Sequence, residues 1–435
     1  MRFKHKDGAL FYVLLVFVLV GGALAAVIYP HFALVRVDSK FVLDPKSVDG
    51  QIQRLSQSIA ADPKRVSSYV SLSQTYLQKI RETADASYYQ KINELMDQAE
   101  MIDAKDANIQ SMRASVMLGR HKFKQAHTFA MAAIALAPDS NINYGLLGDA
   151  QVELGQYKEA AASFQKMVNL RPDYSSYIRI AYIRELYGDT NGAREALQSA
   201  IEFGSSFKES IAFAYVEMGK LEMRDDTAKA LRDFEYAQVL VPDYPPASEG
   251  LGKVVYFEGD NKKAETYFKR AFTKLAIVQY ATDLGDLYTR EGDTTKAKQY
   301  YALAELAFKT SVQSGVDTDL EESLFLSDHD IDLARALVQA RRAYVDRPSV
   351  YAADYLSWAL YKNGQVEEAK KYTKEALRLG EVDPLILFHQ GLIAIKNDDK
   401  VTGQKYLSLA LKINPYFSLL QSNIAYSSLR LIQNP

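Results

Sequence analysis

The chain has 435 residues, with 52 Lys and Arg against 54 Asp and Glu, so its formal net charge is −2. This balance leaves no positive surplus for holding a nucleic-acid backbone, so nucleic acid is not expected as a partner. The absence of Cys excludes a disulfide, a thiolate nucleophile, a Cys zinc site and an iron–sulfur cluster. Charged residues at 24% and hydrophobic residues at 48% are typical of a folded chain and exclude global disorder.

The first predicted element is an apolar helix over residues 8–30, which contain no charged side chain. At about 1.5 Å per residue, a helix of this length spans the roughly 30 Å hydrocarbon core of a bilayer. Arg2, Lys4 and Lys6 make residues 1–7 basic. The positive-inside tendency therefore predicts a cytoplasmic N-terminus, a transmembrane signal anchor and transfer of the rest of the chain across the membrane.

A cleaved signal peptide is the alternative interpretation of this segment. The small residues from Gly21 to Ala25 satisfy the rule for cleavage before Ala26. Apolar residues continue to Tyr29, however, which is longer than the roughly 7–15 residues of a signal core and favours retention. The spacing of Gly21 and Ala25 also allows close helix approach and a homo-oligomer in lipid, although small residues near a processing site are the favoured interpretation.

Beyond residues 31–65, predicted as a juxtamembrane segment and a first helix, the chain repeats. Alanines recur 33 to 39 residues apart, at Ala126, Ala160, Ala193, Ala230, Ala264, Ala297, Ala336 and Ala369. Several units share three further features: a Gly five residues before the Ala, an aromatic residue four after it and a Pro twelve after it. Gly155, Phe164 and Pro172 show this pattern around Ala160. The spacing predicts two helices per unit, about ten units over residues 66–417 and a capping helix over 418–435.

The recurring residues have physical roles in such a unit. A small residue in the first helix, such as Gly148 or Gly252, and the periodic Ala in the second allow close approach of the two backbones. The Gly between the helices ends the first one in a conformation that favours glycine. The Pro ends the second helix because it has no N–H to continue it.

The segment from Asn143 to Pro172 resembles the tetratricopeptide repeat (TPR) family almost position for position. The resemblance implies an all-α, right-handed superhelical solenoid whose first helices form a concave, protein-binding surface. The motifs Trp358-Ala359-Leu360-Tyr361 and Asn414-Pro415-Tyr416-Phe417 are similar to a bacterial membrane-anchored or exported branch of the family. We therefore expect a single-pass protein of a bacterial inner membrane with a periplasmic bulk, or an exported protein if the signal is cleaved.

The family's groove-lining positions predict a partner-binding site in the C-terminal third. They fall on Tyr351, Asp354, Trp358 and Tyr361 in one unit and include Phe388 and Leu392 in the next. We expect this apolar, aromatic wall to bind an apolar or amphipathic segment. The alternative is that these side chains pack against one another as core. The equivalent positions around Thr282 and Asp286 are polar and are expected to be less adhesive.

No catalytic motif, metal site or cofactor is predicted. The acidic segment 317–332 could hold a cation through carboxylate oxygens, but its acids are also expected as helix caps, with Asp317 or Asp319 at one helix and Asp330 at the next. The expected function is a non-enzymatic scaffold that binds other proteins, with the bilayer contacted through residues 8–30. The alternatives are an accessory subunit of an envelope polysaccharide, cell-wall or secretion enzyme complex and, less favoured, an organelle receptor with cytosolic repeats.

Overall fold

A computed structural model describes residue 44 and residues 47–205 and 207–433. The predicted anchor at residues 8–30 lies outside this range. No helix in the part of the chain that the structure describes combines the length and the apolar character needed to cross a bilayer.

The described residues form helices and no strands, which confirms the all-α prediction. The helices are α1 (Val48–Ala61), α2 (Val66–Thr83), α3 (Tyr88–Ile102), α4 (Ala107–Gly119), α5 (Phe123–Leu136), α6 (Asn141–Glu153), α7 (Tyr157–Leu170), α8 (Tyr174–Leu186), α9 (Thr190–Phe203), α10 (Lys208–Glu222), α11 (Thr227–Leu240), α12 (Pro245–Phe257), α13 (Asn261–Lys274), α14 (Val278–Glu291), α15 (Thr294–Gln313), α16 (Asp319–Asp328), α17 (Leu333–Asp346), α18 (Val350–Lys362), α19 (Val366–Ala376), α20 (Pro384–Lys396), α21 (Lys400–Ile413) and α22 (Gln421–Gln433). Helices α2 to α21 form consecutive antiparallel pairs, in which the even-numbered helix is the first and the odd-numbered helix the second.

The repeated residues take the places that their spacing predicts. Gly155 and Gly292, between the helices of their pairs, have φ values of +71° and +79°, a conformation that side chains with a Cβ rarely adopt. Pro172 follows the end of α7 at Leu170, and Pro348 follows the end of α17 at Asp346. The glycines and prolines that end the helices of each repeat therefore lie where the sequence spacing predicts.

The aromatic residue of the repeat packs on the glycine of the first helix. A Cβ placed on Gly148 would lie 2.3 Å from the ring of Phe164, and one on Gly252 would lie 2.5 Å from the ring of Phe268. These distances are too short for any side chain, so the ring of the second helix occupies the space that the glycine leaves. Glycine and aromatic residue are one packing unit, repeated along the stack.

The periodic alanine is predicted to be intolerant of enlargement. Ala160 is fully buried in α7, so Ala160→Leu should overpack the contact between helices and cost about 1–3 kcal/mol of unfolding free energy. The control Lys158→Leu lies on the exposed face of the same helix and should change stability by less than about 0.5 kcal/mol. Chemical denaturation of both variants checks the register, and equal effects would contradict it.

The stack also contacts itself along a line that we call the seam. It joins the turns at residues 120–121, 155 and 188 to the turns at residues 315–317, 347–350 and 378–382. Nε of Arg120 donates to the carbonyl oxygen of Gly315 at 3.0 Å, and the backbone N–H of Val350 donates to the hydroxyl of Tyr157 at 2.9 Å. Residues almost 200 positions apart in the chain therefore lie side by side, and the helix pairs enclose a central space.

Candidate functional site

Polar side chains bridge neighbouring first helices on the inner surface of the stack. The guanidinium of Arg179 on α8 binds both carboxylate oxygens of Asp149 on α6, at 2.9 and 2.7 Å. Nε2 of His329, directly after α16, lies 2.8 Å from Oδ1 of Asp286 on α14. Burial acts to lower the pKa of His329, but the adjacent Asp286 carboxylate outweighs it and the pKa is raised. These contacts fix the inner walls relative to one another.

The chain's own C-terminal segment crosses the inner surface before α22 begins. This segment, which we call the strap, comprises residues 414–421. Its Tyr416 ring lies 4.7 Å from the ring of Phe257 on α12, and Phe417 lies 5.6 Å from Phe388 on α20. Leu419 is buried among α12 and α14 side chains. The strap therefore spans from the C-terminal pairs to the middle of the stack.

Asp328, at the end of α16, connects the strap to the C-terminal pairs. Its Oδ1 accepts hydrogen bonds from Nε1 of Trp358 at 2.8 Å and from Nε2 of Gln421 at 2.6 Å. Burial raises the pKa of Asp328, although the neighbouring His389 and His329 act to lower it. His389 is itself held by Asp354, with 2.7 Å between Nδ1 and Oδ2. The result is a buried polar cluster beneath the strap.

Four of the predicted groove residues belong to this covered region, namely Trp358, Tyr361, Phe388 and Leu392, whereas Tyr351 packs in a cluster with Tyr355. Asp354 and Phe388 are fully buried and Trp358 is 4% exposed, whereas Tyr351, Tyr361 and Leu392 are half-buried. The expected open aromatic wall is therefore not what the structure presents. The wall faces inward, as the family positions indicate. It is covered by Phe417 of the strap and by Ala425 and Leu429 of α22. Binding of a partner to these six residues stays a prediction.

The predicted capping helix also differs from the structure in where it begins. The sequence predicts a capping helix over residues 418–435, and α22 starts at Gln421, the last residue of the strap, and packs on α21. Residues 418–420 belong to the strap, because the chain first crosses the inner surface and only then turns onto the end of the stack. The aromatic pair Tyr416-Phe417, directly after Pro415, was the signal in the sequence that this linker packs inward.

The inner surface that remains open is a central cavity of about 1140 Å³. Its walls come from the first helices α2, α10, α12 and α14, together with parts of α16, α18 and the strap. Gln279, Thr282 and Asp286 of α14 lie on this wall. The sequence pattern predicts that this polar stretch is the less adhesive surface, yet it lines the cavity.

The cavity lining carries more acidic than basic side chains. The cavity lining contains four Lys and Arg side chains, at Arg81, Lys220, Lys253 and Lys274. It contains nine carboxylates: Glu82, Glu209, Glu217, Asp243, Glu249, Asp283, Asp286, Glu321 and Asp328. Two of the lysines are already neutralised by a neighbouring acid. Nζ of Lys220 lies 2.8 Å from Glu217, and Lys253 binds Glu249. Burial raises the pKa of Asp283 well above its usual range, although Lys253 opposes the shift.

The acidic segment 317–332 forms contacts within the chain. Oδ1 of Asp317 accepts from the backbone N–H of Asp319 at 3.1 Å, at the start of α16. Asp330 does not cap α17 as expected; it lies 2.6 Å from Nζ of Lys362, and Asp332 is the cap, accepting from the N–H of Arg335 at 3.2 Å. Within residues 44, 47–205 and 207–433, no group of three or more His or acidic side chains is arranged to hold a metal ion.

The arrangement of paired helices around a concave inner surface is that of a TPR solenoid. The tetratricopeptide repeat model matches residues 143–174 and 278–306, which correspond to α6–α7 and to α14 with most of α15. These two helix pairs therefore match the tetratricopeptide repeat.

Among proteins of known identity, the chain is 25% identical over 314 residues to the protein CTR9 homolog of Arabidopsis thaliana. The match covers 65% of this chain but only 27% of that protein's length. Among solved structures, yeast Tom70 aligns at 14% identity and a TM-score of 0.41, covering 89% of this chain and 92% of Tom70. The human IFIT1 dimer with PPP-AAAA aligns at 14% identity and a TM-score of 0.46, covering 84% and 87%.

Proposed function

We propose that the protein is a membrane-tethered, non-enzymatic scaffold of a bacterial cell envelope, which binds a segment of another protein in its central cavity. The observation that carries the proposal is the cavity itself, because first helices of a TPR solenoid bind extended or helical segments on this surface. Its volume of about 1140 Å³ exceeds the roughly 300–1,000 Å³ that is usual for small-molecule sites. A peptide segment is thus the better fit.

The tether in this proposal is the uncharged segment 8–30 with its basic flank. Retention predicts that the protein stays with membranes after high-salt and carbonate washing, because transfer of about 20 apolar residues to hydrocarbon outweighs a peripheral contact. Protease outside spheroplasts should digest the repeats. Recovery of a soluble form that begins at Ala26 would support cleavage and export instead, and protection of the repeats would support the organelle-receptor topology.

Site-directed photo-crosslinking in native membranes tests the binding surface. A photo-reactive residue at Gln279, which is exposed on the cavity wall, should crosslink to a partner protein. The same group at Lys158, on the exposed face of α7, is the matched control and should not. Equal crosslinking at both sites would contradict the cavity as the binding surface. Mass spectrometry of the product separates a structural partner from a synthase, which would favour the accessory-subunit alternative.

A further inference from the structure

Five carboxylates line the side of the cavity that the strap leaves open. They lie on α2, α10, α12 and α14, and we call them the acidic wall: Glu82, Glu209, Glu217, Glu249 and Asp283. They approach one another across helices, since the charge of Glu209 acts on Glu82 and the charge of Glu249 acts on Asp283. Within the described part of the chain, Glu82 and Glu209 form no ion pair. Three cations on the same helices, Arg81, Lys220 and Lys253, offset only part of the five negative charges, so the wall keeps a surplus of negative charge.

Asp283 is the most deeply buried carboxylate of the acidic wall. The residue is 3% exposed. Its Oδ1 accepts from Nε2 of Gln279 at 3.1 Å and lies 3.8 Å from Nζ of Lys253. Its Oδ2 is buried and accepts no hydrogen bond from a described residue. The carboxyl groups of Asp283 and Glu249 are in contact, and burial together with this neighbour raises the pKa of Asp283. An unpaired buried oxygen destabilises the folded chain, and a donor placed in the cavity would satisfy it.

Two further buried oxygens of the cavity lining share this property. Oε1 of Gln78 on α2 and Oγ1 of Thr282 on α14 are both without a hydrogen-bond partner in the part of the chain that the structure describes. The amide oxygen accepts only, and the hydroxyl can accept as well as donate. Together with Oδ2 of Asp283, they are acceptors that N–H donors of an occupant would satisfy.

Resting on the function proposed above, we propose that the acidic wall binds a lysine- or arginine-bearing segment of the partner protein, with a cationic side chain donating to Oδ2 of Asp283. Lys and Arg supply several N–H donors and no acceptor, which matches the unpaired oxygens. Their aliphatic stems pack on apolar and aromatic surface, which Phe207 and Tyr244 provide on the same wall. An acidic peptide would instead face the five carboxylates.

The full-length protein in detergent can be titrated with a short fluorescein-labelled peptide of alternating arginine and alanine, followed by fluorescence anisotropy. The matched probes are the same peptide with glutamate in place of arginine, and unlabelled spermidine as a small amine. We expect the arginine peptide to bind, binding to weaken as salt is added, and the glutamate peptide not to bind.

Variants locate the site. Asp283→Asn keeps the side-chain shape and should weaken binding about tenfold or more. Glu209→Gln lies half-buried near the start of α10, where it cannot unfold the core, and should weaken binding severalfold. Glu159→Gln, on the exposed face of α7, is the control and should bind as the parent does. Unchanged affinity in both wall variants, preferential binding of the glutamate peptide, or spermidine binding without peptide binding would each overturn the proposal.

Crosslinking distinguishes failure of this inference from failure of the proposed function. If a partner crosslinks to Gln279 equally well in the parent and in Asp283→Asn, the cavity binds protein but the cationic chemistry is wrong. If the parent protein gives no crosslink at Gln279, the proposed function itself fails. We expect a crosslink in the parent that decreases in Asp283→Asn.

Discussion

Replacement of Arg347 by Met is expected to lower the free energy of unfolding by about 3 kcal/mol. The guanidinium is 7% exposed and lies 3.2 Å from Glu153 and 2.6 Å from Glu321, across the seam. Without it, the two carboxylates lose their shared cation while remaining about one-fifth exposed. Removal of one partner from a buried pair costs about 3–5 kcal/mol, and the residual exposure places this case at the low end.

Arg342→Met is the matched control, because Arg342 lies 2.6 Å from Asp319 but its side chain is 62% exposed. Its loss should cost less than about 1 kcal/mol. In Arg347→Met the unpaired carboxyls should titrate at a raised pKa, so the folded state takes up protons more readily than the unfolded chain. The difference in unfolding free energy between this variant and the parent should therefore narrow as the pH falls from 7 to 5. Denaturation curves at both pH values check this. Equal losses in the two variants would show that the seam adds little stability.

Phe388→Ala is expected to cost about 3–5 kcal/mol, since it opens a cavity in a fully buried site. The ring lies 5.9 Å from Trp358 and 5.6 Å from Phe417, so its loss removes the surface on which the strap packs. Chemical denaturation measures the effect. Val401→Ala, at a residue of α21 that is 82% exposed, should change stability by less than about 0.5 kcal/mol.

The same variant separates the two interpretations of the aromatic wall. If Phe388→Ala lowers stability while partner affinity per folded molecule is unchanged, Phe388 is core. If affinity also falls by about 2 kcal/mol or more, the strap is a removable cover and the wall binds a partner after its displacement. A stability loss no greater than that of Val401→Ala would contradict the packing described above.

The helix ends of each repeat were predictable from the sequence, because the glycine or proline that ends a helix acts within one helix pair. Gly292 requires only its own backbone conformation, because a Cβ there would meet no described atom within 4 Å, and Pro172 ends only the helix before it. The pairing of Gly148 with Phe164 is likewise a contact between two helices that are adjacent in the chain. The fold class therefore followed from the spacing of a few residue types.

The accessible part of the site could not be predicted in this way. The family positions place Trp358 and Asp286 on the inner surface, but they do not say which of them another part of the chain covers. That depends on the strap, whose Leu419 reaches α12 and α14 more than 100 residues away in the chain. The contact between Arg347 and Glu153, 194 residues apart, is equally invisible to a pattern with a period of about 34 residues.

The two sides of the seam are synthesised at different times, because one lies about 200 residues before the other in the chain. The turn at His121 meets Asp317, 196 residues later. At about 5–20 residues per second, roughly 10–40 s of synthesis separate the two. Until then Val152 and Tyr157 lack Val350 and Ala353, with which they form one apolar cluster. A growing chain therefore exposes part of this apolar cluster until the residues around Ala353 have been made.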